Sequence, residues 1–124
     1  MNVAVAVAVG GAVGALGRYW MTTAVTALAG NRFPWGTLSV NVLGALLMGI
    51  LYVIVDERMP DSGPWRALLI TGGLGAFTTF STFSIDALLL LQNGRVVSAL
   101  VYILTSVVVC LLAVAVGMSV MRMV

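Results

Sequence analysis

Lysine and histidine are missing from this chain, cysteine occurs once, and only four acidic residues stand among 124. Each shortage removes a class of chemistry. A lone thiol, Cys110, rules out an internal disulfide, and without histidine no thiolate–imidazole metal cluster can form. No nucleotide-binding loop is present, so no ATP-driven step is expected. Six arginines against four acids leave a net charge of +2, too small to argue for a nucleic-acid partner. No basic stretch precedes the first apolar run, so that run is expected to remain as a membrane helix and not to be a cleaved leader. The chain reads as a non-enzyme.

What it has in excess is apolar surface. Hydrophobic residues make up 61% and charged ones 8%, with a mean hydropathy of +1.14. A small soluble fold has too little interior to hide that much. One membrane crossing needs about 20 apolar residues. The sequence supplies four such windows, at about residues 3–29, 35–55, 65–91 and 96–119. The expectation is a single all-α integral membrane domain over residues 1–124, with four spans and no soluble part.

Residues 72–84, GGLGAFTTFSTFS, do not fit a plain membrane anchor. Glycine weakens a helix by about 1 kcal/mol relative to alanine. Irregular backbone at membrane depth survives only where it is buried in protein or lines water. The third span is therefore expected to be broken here. Phe77, Phe80 and Phe83 recur every three residues among Thr78, Thr79, Ser81, Thr82 and Ser84, a spacing that lines up near a tight or broken turn.

The other spans carry polar marks of their own. In the first, Gly10, Gly14 and Gly17 form a stripe for close helix approach. Residues 3–17 would cover only about 22 Å of a roughly 30 Å hydrocarbon layer, so the helix must continue through Arg18. That arginine is either a snorkelling anchor beside Tyr19 and Trp20 or a fixed positive charge at the mouth of a watery vestibule. In the second, Thr37, Asn41, Gly44 and Met48 share a face. Asn41 is either a bond between helices or an amide donor to a permeating species. In the fourth, Ser98, Tyr102, Thr105 and Ser106 form a polar stripe that Cys110 continues. Asp86 lies toward the end of the third span and is expected to be paired or to face water.

Hydroxyls and amides donate hydrogen bonds without formal charge, and aromatic edges carry the positive part of the ring quadrupole. A lining of Asn41, Thr37, Thr78, Thr79, Ser81, Thr82, Ser84, Tyr102, Thr105 and Ser106 suits a small, hard, hydrated anion better than a cation. Four spans place Arg58, Arg66 and Arg122 on one side and Arg32 and Arg95 on the other. So even a split gives the positive-inside rule little to act on. The chain is expected to insert both ways round, and its copies to pair head to tail.

Residues 10–19 (GGAVGALGRY), 36–49 (GTLSVNVLGALLMG) and 72–84 together resemble the Fluc/CrcB family of fluoride channels, across all four spans and in motif order. The resemblance implies a dual-topology antiparallel homodimer with two pores that passively exports fluoride through the cell membrane of a microbe. It implies that Phe80 and Phe83 line the pore beside Asn41, that Tyr102 and Ser106 belong to a polar track, and that Arg18 faces a vestibule. It further implies that Gly75 and Thr78 present backbone carbonyls to a structural Na⁺ shared by both subunits. Cys110 stands where many relatives have a further hydroxyl.

Two other functions compete. A small multidrug-resistance-like antiporter is also short, four-helical and prone to antiparallel pairing, but it needs a membrane carboxylate, and the first span has none. A structural subunit of a larger membrane complex would use the polar stripes only to join helices.

Overall fold

The computed structural model describes residues Met1–Val124. Its regular structure is all helical, with no strands, and four helices are long and apolar enough to cross a membrane. They are α1 (Val3–Ala29), α2 (Trp35–Glu57), α3 (Gly63–Gln92) and α4 (Val96–Met123). Sequence punctuation sets their ends. The Asn2 side chain accepts from the Ala4 N–H at 2.8 Å, capping α1. Gly30 ends the same helix at φ 80°, and Gly94 at φ 75° turns the chain from α3 into α4; both values favour glycine.

Close backbone approach shapes the bundle. A Cβ on Gly10 would lie 1.9 Å from the Leu68 carbonyl oxygen, and one on Gly14 would lie 2.0 Å from that of Gly73. Helices α1 and α3 therefore touch backbone to backbone, which only missing side chains permit. The part of α3 in this contact, Arg66–Leu74, is wound as a π-helix, as is the end of α2 at Tyr52–Glu57. Further along, α3 changes partner. Its Phe80–Gln92 half packs through Ala87 and Leu90 with Leu38 of α2 and with Ala99 and Tyr102 of α4, where Phe33, Val42, Phe83 and Ile103 close the cluster.

The two ends of the bundle are tied by arginine. At one end Arg66 pairs with Asp56, Arg122 pairs with Glu57, and Arg58 donates to the Met121 carbonyl. At the other, Arg95 donates to the Arg32 carbonyl. Between these ends the outer surface is apolar. No more than 33% of the most apolar window of any of the four helices is buried inside the chain. That leaves large side chains such as Val13, Leu104 and Leu111 facing outward, as a multi-pass membrane protein requires.

Candidate anion site

The site is built around two residues where α3 leaves helical geometry. Thr78 has φ −83° and ψ 159°, and Thr79 has φ −152° and ψ 120°. A continuous helix would send the Thr79 N–H to the Gly75 carbonyl. Instead it donates to Asn41 Oδ1 at 2.8 Å, while Asn41 Nδ2 donates to the Thr79 carbonyl at 2.9 Å. One asparagine on α2 thus engages both backbone groups of a single residue, Thr79, on α3. Helix geometry resumes at Phe80 because Thr79 caps it: Thr79 Oγ1 accepts from the Thr82 N–H at 3.1 Å. The tight fit at Gly44, where a Cβ would meet Thr78 Cγ2 at 2.1 Å, presses α2 against this segment.

Two cavities of about 410 Å³ each flank the interruption. The first carries no charged side chain. Asn41, Phe80, Phe83, Ser106 and Cys110 line it, with Thr78 and Thr79 at the interruption and Met48 on α2. The second is lined by Arg18 and Tyr19 of α1 together with Thr22, Thr23, Thr37, Thr79 and Thr82. Arg18 is half-buried and makes no hydrogen bond or ion pair within the chain, so its charge is offered to this space. Thr79 borders both cavities.

Aromatic rings run away from the interruption. Phe80 and Phe83 have centroids 5.4 Å apart, and Phe83 stands 5.2 Å from Tyr102, both pairs tilted. The Tyr102 ring is fully buried, and its hydroxyl donates to Asp86 Oδ2 at 3.2 Å. The same oxygen accepts from Thr37 Oγ1 at 2.7 Å. Asp86 is thereby paired, with two neutral donors on one carboxylate oxygen. Thr37 also lines the arginine cavity, so this carboxylate lies one hydroxyl behind its wall.

Several sequence expectations are redistributed. Phe77 does not align with Phe80 and Phe83. Its ring packs beside Gly17 of α1 and Gly44 of α2, because the extended pair Thr78–Thr79 intervenes and resets the helical phase. Ser81 borders neither cavity and is exposed. Thr78 and Ser84 return their hydroxyls to the carbonyls of Leu74 and Phe80, both at 2.9 Å, the local bond that Ser and Thr often make in helices. Thr79 and Thr82 hold each other at 3.0 Å. Sequence reasoning placed Asp86, Thr37 and Tyr102 separately and missed that they meet. Local spacing shows only that Thr37 lies one turn before Asn41 on the same face of α2; its meeting with Asp86 and Tyr102 joins three helices.

Sequence kinship gives the family. A family model described as CrcB-like protein, Camphor Resistance (CrcB), covers residues 5–118. The chain belongs to the CrcB family. Among curated CrcB-type relatives, one from Magnetococcus marinus is 48% identical over 118 residues, covering 95% of this chain and 96% of its own. One from Hahella chejuensis is 47% identical, covering 95% and 93% respectively. One from Rhizobium meliloti is 46% identical over 122 residues, covering 98% of both. All three carry the name fluoride-specific ion channel FluC.

Proposed function

We propose that this CrcB-family chain is a fluoride channel that lets the anion leave the cell passively, through the two cavities that meet at Thr79. The observation that carries this reading is their shared wall: an arginine with no carboxylate partner on one side, uncharged donors and phenylalanine rings on the other. Arg18 concentrates anions at the threonine-rich mouth by its field. Beyond Thr79 no full positive charge follows, so an anion is held weakly enough to move on, which conduction requires. The Asn41 amide gives one N–H to Thr79; its second N–H makes no bond within the chain and is the donor available to the anion. The antiporter reading loses its footing here, since α1 holds no acid and relatives of near-full coverage carry the channel name.

The finer architecture follows the same reading. The interruption of α3 at Thr78–Thr79 is the functional break, and the apolar outer surface is divided between lipid and a second, oppositely oriented copy. Phe80, 77% exposed in the single chain, reaches toward that copy. A structural Na⁺ at the dimer axis suits the backbone chemistry. The Gly75 carbonyl has lost the Thr79 N–H to Asn41, and the Thr82 N–H goes to Thr79 Oγ1, away from the Thr78 carbonyl. Two carbonyl oxygens without helical partners are neutral, hard donors of the kind an alkali cation takes.

Purified protein in liposomes, assayed in parallel for fluoride, chloride and ethidium release, tests the function. Fluoride alone should leave. Ethidium release would reinstate the antiporter, and no release of any solute would leave a structural subunit. Orientation has its own test: two or three lysines added at one end should bias insertion. The biased chain should be inactive alone and active beside an oppositely biased copy. Full activity from a chain held in one orientation contradicts the antiparallel pair.

A further inference from the structure

The uncharged cavity brings together both kinds of sulfur that the chain contains, the Met48 thioether from α2 and the Cys110 thiol from α4. Cys110 is free and half-buried. Ser106, one turn before it on the same helix, lines the same cavity; it is only 7% exposed, and its Oγ has no hydrogen-bond partner. A buried hydroxyl left unpaired costs about 1–3 kcal/mol, a cost that a species bound beside it would remove. No Asp, Glu, Lys or Arg lines it. A hard divalent cation, which needs several oxygen ligands and their charge, has no site there. A soft univalent cation is different, because thiolate and thioether are its preferred donors.

We propose that Cys110, with Met48 as a second sulfur and Ser106 as an oxygen neighbour, forms a site for a thiophilic univalent cation of the silver(I) or copper(I) class, and that its occupancy closes the cavity. The Cys110 S–H bond breaks, a metal–sulfur bond forms, and the proton passes to water; no electron is transferred. The thiolate cancels the ion's charge, so the product is neutral. That is why an uncharged, largely apolar space accepts it when it would reject a bare ion. The closure rests on the anion route proposed above; the metal site does not.

The test uses the full-length protein in liposomes, with silver added as silver fluoride in chloride-free buffer. After desalting against free methionine, which strips sites made of thioether alone, the parent should retain one silver per subunit and Cys110→Ser none. Met48→Leu should release its silver at least about tenfold faster than the parent, as loss of a soft donor requires. Fluoride efflux by the parent should fall at least about tenfold with silver bound, while the silver response disappears in Cys110→Ser. Equal silver retention by parent and Cys110→Ser, or equal block of both, overturns the proposal. So does an unchanged release rate in Met48→Leu. Should Cys110→Ser fail to fold, Cys110→Ala replaces it under the same criteria. A parent that retains silver at Cys110 but never passes fluoride would defeat the channel reading and leave the sulfur site standing.

Discussion

The two cavities are alike in size and opposite in chemistry. The one at Arg18 has a formal charge, a threonine-rich wall and a carboxylate, Asp86, held just behind Thr37. The one at Phe80 and Phe83 has no charge at all, only an amide, hydroxyls, rings and two sulfurs. Long-range attraction and short-range passage place different demands on a wall. A fixed charge raises the local concentration of an anion, but the same charge at the narrowest point would trap it. On the proposed anion route Thr79, which lines both cavities, is where one demand gives way to the other. Its backbone is held from the side by Asn41, so the division between the cavities depends on a single amide.

Asn41→Asp should therefore break the arrangement most severely. The change puts an acceptor opposite the Thr79 carbonyl and a negative charge beside the route. At about 4 Å and an effective dielectric near 20, repulsion amounts to about 4 kcal/mol, or about a thousandfold in fluoride flux. A variant that folds and conducts like the parent would show that Asn41 only joins helices.

Gly44→Ala attacks the same junction sterically. Its new Cβ would meet Thr78 Cγ2 at 2.1 Å, and such overpacking costs about 1–3 kcal/mol of stability. Thr78→Ser removes that methyl while keeping the hydroxyl bond to Leu74. The double variant should recover at least half of the loss in a denaturation series. Strict additivity of the two changes would place the strain elsewhere.

How far these features were legible in the sequence differs between the two sides. Apolar run lengths and turn residues were enough to locate four helices, because bilayer thickness is a coarse and unforgiving ruler. Arg18, Asn41, Phe80, Phe83 and Ser106 stood out as polar or aromatic anomalies, and each borders one of the two cavities. What the sequence did not display was phase. Three phenylalanines at equal spacing looked equivalent, yet two extended residues send Phe77 to the glycine face of α1 and leave the other two together. Nor did it display the meeting of Thr37, Asp86 and Tyr102, which joins three helices and leaves no mark in any local window. The π-wound stretch Arg66–Leu74, which lies in backbone contact with α1, was also invisible in the sequence.

Smaller effects sharpen the contrast further. Phe80 is largely exposed in the single chain, so bulk packing within the subunit gives it little work. Phe80→Ile keeps an apolar side chain but removes the ring edge and should lower fluoride flux at least about tenfold, the equivalent of ~1.5 kcal/mol for an aromatic contact. Phe80→Met, with its polarisable sulfur, should retain part of the flux. Equal flux through the parent and Phe80→Ile would return the ring to a packing role. On the charged side, Arg18→Gln should matter least: about two- to fivefold lower flux at low ionic strength, vanishing in high salt, as screening of a steering charge demands. A loss that persisted in high salt would mean that Arg18 contacts the anion directly.

The central claim is that neutral donors and ring edges carry the anion passively, with Asp86 a paired spectator and not a proton carrier. Fluoride efflux from liposomes, charge-balanced by a potassium ionophore and corrected for neutral hydrogen fluoride leakage, tests it most directly. The rate should be the same with equal pH on both sides as with an imposed proton gradient. Efflux that required the gradient would contradict the account and make Asp86 a coupling carboxylate.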